Sequence, residues 1–192
     1  MNPHIPARKN FVLFVLILPL FCFSQLTTRD NVKGKAKELF ERADNDYQFG
    51  KLAQADSFFH MAVKEKDNFI DAWILIGEMN LEYLHRYDKA AEAYEKVKAL
   101  QADYMKEVDF QLGKCYLNMG DYEKAKSHLT AYLKLDKLPA QNVFLSQKIL
   151  KDCDFAAEAM KHPFDFKPRN LGPGVNTADD ESMPSLTADE KY

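Results

Sequence analysis

The feature that most constrains this chain is a small residue that returns at a fixed interval. Ala55, Ala90 and Ala125 are 35 residues apart at each step, and Leu52, Tyr87 and Tyr122 precede them at the same spacing. Three segments superpose on this frame: 39–63, 73–97 and 109–133. A second set of small residues, Ala43, Gly77 and Gly113, lies 12 or 13 positions ahead of the alanines. Recurrence at this period is the mark of one supersecondary unit copied along a stack.

Each unit reads as a helix–turn–helix pair. A small residue on the first helix and another on the second let the two backbones approach closely. Phe59, Tyr94 and Leu129 on the second helix, with Leu112 and Tyr116 on the first, fill the neighbouring holes. Gly50 and Gly120 stand where the first helix must stop, and glycine tolerates positive φ there at little steric cost. Asp121 is placed to cap the helix that follows. One helix pair cannot cover its own apolar face, so about three units and a cover are needed. The run 140–161 supplies the cover: Phe144, Ile149, Cys153, Ala156 and Met160 fall near helical spacing.

These residues resemble the tetratricopeptide repeat (TPR) family. The matches are the small–small–aromatic pattern, Trp73 near the start of the second unit, Gly77, Gly113, and 120-GDYEKA-125. The resemblance implies an all-α TPR solenoid, with three helix-turn-helix repeats over 36–139, a capping helix over 140–161 and an irregular C-terminal tail. The chain departs from the family pattern in three ways. No proline follows the second helix, where Asp67 and Ala102 lie. One extra residue precedes Ala90, and His85 stands where a turn glycine is usual.

The resemblance also implies a partner-binding groove on the concave side, lined by the first helix of each repeat. Carried onto this chain, one stripe is Phe40, Ile74 and Phe110, and a second is Tyr47, Leu81 and Leu117. Asp44, Glu78 and Lys114 lie between them, with Asp71, Glu82 and Glu107 at the edges. One branch of the family clamps a terminal carboxylate with Lys, Arg and Asn. An acidic and apolar groove does not suit that job. It implies an extended or helical protein or peptide partner with apolar anchors and some basic residues. A plainer reading of the same residues is that Phe40 and Phe110 pack between helices and the acids form a solvated face.

The N-terminus reads as an export signal over 1–24. Arg8 and Lys9 precede an apolar run, Phe11 to Phe23, of 13 residues. About 20 residues are needed to span a bilayer, so the run has signal-peptide rather than anchor length. Lipidation at Cys22 is the less favoured alternative, because Phe21 rather than a small residue precedes it. Residues 25–35 form an N-terminal segment. Net charge is −3 and becomes about −5 on loss of Arg8 and Lys9, which leaves no basic excess for nucleic acid. Export would permit a disulfide between Cys115 and Cys153, but both sit in helical patterns where buried free thiols are common.

No catalytic, cofactor or metal motif is present. His4, His60, His85, His128 and His162 lack ligand spacing, and there is no GxSxG, P-loop or GxGxxG. Asp179, Asp180 and Glu181 lack the spaced oxygens of a calcium loop. Pro163, Pro168 and Pro173 with Gly172 and Gly174 end helical structure, so 162–182 reads as a linker. Residues 183–192 are similar to the truncated start of a WD40-like (PD40) β-propeller blade. Signal, TPRs and blade start together resemble the front of periplasmic proteins that run TPR, propeller and OmpA-like domain, a layout of PorE-type components of type IX secretion. That layout implies outer-membrane association, with peptidoglycan bound only by a missing C-terminal domain. The expected function is a non-enzymatic scaffold of a cell-envelope or secretion complex in the periplasm. The alternatives are the non-catalytic arm of an exported peptidase whose catalytic domain is missing, and a free-standing TPR adaptor.

Overall fold

The computed structural model describes residues 26–162. The signal sequence, Cys22, nearly all of the linker and the blade start lie outside those residues. Among the described residues there are seven helices: α1 Lys35–Gln48, α2 Leu52–Glu65, α3 Ile70–Glu82, α4 Tyr87–Leu100, α5 Val108–Asn118, α6 Tyr122–Tyr132 and α7 Ala140–Lys161. They pack as the hairpins α1/α2, α3/α4 and α5/α6. The second helix of each pair also lies on the first helix of the next, α2 on α3 and α4 on α5, and α6 lies on α7.

The small residues set how closely each pair approaches. A Cβ added to Gly77 would come within 2.8 Å of the Tyr94 ring, and one on Gly113 within 2.5 Å of Leu129 Cγ. Ala43, Ala55, Ala90 and Ala125 are fully buried at the corresponding places, as are Phe59 and Leu129. Each large side chain so buried contributes about 1.5–3 kcal/mol.

The turns follow from the same sequence signals. Gly50 (φ 71°) and Gly120 (φ 75°) are left-handed. Past them, Lys51 N–H donates to Asp46 O and Asp121 N–H to Tyr116 O, closing the helix ends. The Asp121 side chain accepts from Lys124 N–H at 3.2 Å, as expected of a cap. In the second repeat His85 takes the left-handed place itself, at φ 51°. The extra residue is absorbed there, with Arg86 N–H reaching back to Asn80 O at 2.8 Å.

The core divides into three clusters along the stack. The first holds Val32, Phe40, Phe59, Phe69 and Ile76, the second Ile70, Leu81, Tyr94, Leu112 and Cys115, and the third Phe110, Leu129 and Tyr132. Helix α7 closes the third cluster through Leu145, Ile149 and Leu150, and fully buries Ser146 and Cys153. Of the apolar residues expected to face inward from α7, Phe144 and Met160 are exposed. Phe144 lies two positions before Ser146, which at 3.6 residues per turn turns it to the far side.

Alanine at position 113 gains about 1 kcal/mol of helix propensity but brings its Cβ within 2.5 Å of Cγ of the fully buried Leu129, which must shift to admit it. Gly113→Ala is expected to lower stability by about 1–3 kcal/mol, read as a lower urea midpoint at unchanged slope. An unchanged or higher midpoint would show that the two helices are not in close approach there.

Candidate functional site

The first helices α1, α3 and α5 present one shared face, marked by side chains that reach across it. Tyr47 on α1 donates its hydroxyl to Glu78 Oε1 on α3 at 3.3 Å, and its ring meets the edge of Tyr83 with centroids 5.7 Å apart. Lys114 on α5 reaches back to Glu82 on α3 and lies 5.8 Å from the Phe110 ring centroid. Asp44, Tyr47, Ile74, Glu78, Lys114 and Leu117 are half-buried along this face.

Three of the expected apolar anchors do another job. Phe40, Leu81 and Phe110 are only 4%, 4% and 5% exposed. Phe40 packs on Phe59 and Phe69 at centroid distances of 5.6 and 4.7 Å, and Phe110 on Tyr132 at 5.3 Å. They are the floor that joins neighbouring helices: the Phe40 and Phe110 rings pack on the hairpin partners α2 and α6, and Phe40 also on Phe69 just ahead of α3. Asp71, expected at the edge, is already engaged: it accepts Arg29 N–H at 2.6 Å and the Tyr104 hydroxyl at 3.0 Å.

The structure adds residues that the pattern did not single out. Phe49, Tyr83 and Met119 are exposed, and each ends the first helix of its repeat. They hold equal register, each six residues after Ala43, Gly77 or Gly113; Tyr83 meets Tyr47, whereas Met119 lines a cleft with Tyr122, Ala157 and Met160. Comparing the residues that end each first helix would have found them. Arg29 and Tyr104 carried no local signal.

Away from this face, Asp109 accepts from Lys98 and His128, each at 2.7 Å, and Tyr116 stacks on the His128 ring. That cluster ties α4, α5 and α6 together. Among the described residues no group of three or more His, Cys, Asp or Glu is placed to hold a metal. Cys115 and Cys153 are free and buried. Burial pushes the Cys115 thiol up from 9.0 to about 12 and raises that of Cys153. Tyr104 moves from 10.0 to about 12, chiefly through burial and then its bond to Asp71. Burial and then the Glu78 charge raise Tyr47 as well.

All these groups are favoured in their neutral forms by folding. Their contribution is complete below the ordinary thiol and phenol values and is lost as pH climbs toward about 12. The urea midpoint is therefore expected to fall steadily above pH 9. At pH 8 Cys115 should resist Ellman's reagent until the chain unfolds. Rapid labelling under native conditions would contradict the described burial.

Residues 110–137, which carry most of α5, its turn and α6, match the family model for the tetratricopeptide repeat. No curated protein matches the chain. Among similar solved structures is the first TPR of Spaghetti (RPAP3) bound to the HSP90 peptide SRMEEVD. It shares 17% identity at a TM-score of 0.55, covering 62% of this chain and 94% of that one. Another is the Yersinia enterocolitica type III secretion chaperone SycD in complex with a peptide of the translocator YopD, at 19% identity and a TM-score of 0.54. That match covers 66% of this chain and 97% of that one. At such identities the likeness is one of fold. Residues 26–162 form an all-α solenoid of tetratricopeptide type, three helix-turn-helix repeats closed by a capping helix.

Proposed function

We propose that this chain is a non-enzymatic interaction module that holds a segment of a partner protein along the shared face of α1, α3 and α5. One observation carries the reading. Carboxylates at Asp44 on α1 and at Glu78 and Glu82 on α3 share this face with the half-buried Tyr47, Ile74 and Leu117, and Tyr83 lies exposed against Tyr47. An extended or helical segment with basic and apolar side chains complements such a surface. Two similar structures hold peptides, which supports the choice of a peptide ligand. The HSP90 peptide in one of them, SRMEEVD, ends in acids. Acids at Asp44, Glu78 and Glu82 would repel such a sequence, so the partner here is of the opposite sign.

The place of action is the cell envelope, reached by export. The support is the sequence itself: Arg8 and Lys9 ahead of the Phe11–Phe23 apolar run. Within the envelope the module serves as a scaffold in a secretion-associated or outer-membrane-associated complex.

The reading is tested by capture from envelope extracts with the mature chain and with a Tyr47→Ala, Glu78→Lys variant. The expected outcome is a discrete partner retained by the first and reduced at least tenfold with the second, at equal helical circular dichroism. Tyr47 and Glu78 are half-buried at the surface, so the fold should survive both changes. Identical capture by the two chains would sink the groove as the binding site.

A further inference from the structure

Residues 26–34 form a strap laid across the first repeat. Thr27 N–H donates to Asn68 O at 3.1 Å, and Ile70 N–H donates to Thr27 O at 3.0 Å, which pins the strap at the turn between α2 and α3. Val32 is buried in the first core cluster, and Leu26 packs on the second. Asp71 takes the Arg29 N–H. This route lays the Arg29 side chain over α1. Its guanidinium carbon is 5.3 Å from the centroid of the Phe40 ring, and Nη2 is 4.0 Å from Asp44 Oδ1. Asp44 lies on the partner-binding face at its α1 end, and Phe40 belongs to the floor beneath it. A cleft of about 180 Å³ lies beside Arg29, bounded by Val32, Lys37, Phe40, Glu41 and Asp44.

We propose that Phe40 and Asp44 form a guanidinium site at the N-terminal end of the groove, with Arg29 as its built-in occupant, and that an arginine of a partner segment competes for it. The inference rests on the reading of this face as the partner-binding surface and names one side chain the partner brings. An aromatic face beside a carboxylate favours arginine over lysine, because the planar guanidinium stacks and is weakly hydrated. The occupant is built to yield. The strap is anchored at Thr27 and Val32, neither of which depends on the Arg29 side chain. That side chain is 57% exposed, and its ion pair is at the long limit of such contacts. An exposed pair of this kind is weak. The guanidinium can swing away while the strap stays in place, so Arg29 sets a threshold that a partner must exceed.

The test uses the full chain and the Arg29→Ala variant, with N-acetyl-L-argininamide as probe. NMR shifts at the Phe40 ring and the Asp44 amide report binding. The expected result is about three- to tenfold tighter binding to the variant, the range that one exposed cation–π contact and ion pair would supply. N-acetyl-L-lysinamide should bind the variant more weakly, and adding Asp44→Asn should abolish the response. Equal affinity of the two chains, no response in either, or a response that survives Asp44→Asn would each overturn the proposal. Arg29 and Asp44 are surface groups, so circular dichroism should be unchanged throughout. The small probe separates the two ideas. A silent titration leaves partner capture through Tyr47 and Glu78 standing, and failed capture leaves the titration readable.

Discussion

The structure depends on how near two helices can come when one carries no side chain at the crossing. Gly77 and Gly113 open notches into which Tyr94 and Leu129 fit, with no space for even one carbon more. The first repeat solves the same problem with Ala43, fully buried against the hairpin partner α2. Once the distance within a hairpin is set, the second helix meets the next repeat at a fixed offset, and α1, α3 and α5 fall into one row. The groove face is thus a by-product of packing on the other side of those helices. A change at a notch would shift the face without touching any residue on it.

That face shows a division of labour. The aromatic and aliphatic side chains nearest the backbone, Phe40, Leu81 and Phe110, are consumed by contacts between helices. Longer or polar side chains reach past them and meet their counterparts on the adjacent repeat, as Tyr47 meets Glu78 and Lys114 meets Glu82. These pairs lie half-buried at the surface and are individually weak. They cost a partner little to rearrange, whereas the floor beneath them cannot move without loosening the core.

Much of this was legible in the sequence, for physical reasons. Close helix approach demands a small residue at every repeat, so it leaves a periodic trace, and Ala55, Ala90 and Ala125 announced it. The turn at His85 was legible as a departure, and the backbone there takes the left-handed form that glycine would have adopted. The roles of Phe40 and Phe110 were not separable, because spacing along a helix does not tell a ring that faces the groove from one that packs on the second helix of its own hairpin. The plainer packing reading describes those two rings. Arg29 was invisible: its contact with Asp71 spans 42 residues and belongs to no repeat. Long-range pairings outside the periodic frame leave no spacing to read.

The division of the core into three clusters gives the chain's sole tryptophan an unusual position. Trp73 packs against both the first and the second cluster, and its indole N–H is tied to Asp67 O at 2.8 Å. The third cluster, built on Phe110, Leu129 and Tyr132, does not include it. The protein therefore carries an optical gauge at one joint of a linear stack. Its emission registers the coupling of the first repeat to the second and stays silent while α7 frays, so fluorescence and helical dichroism would diverge if the stack melts from its C-terminal end.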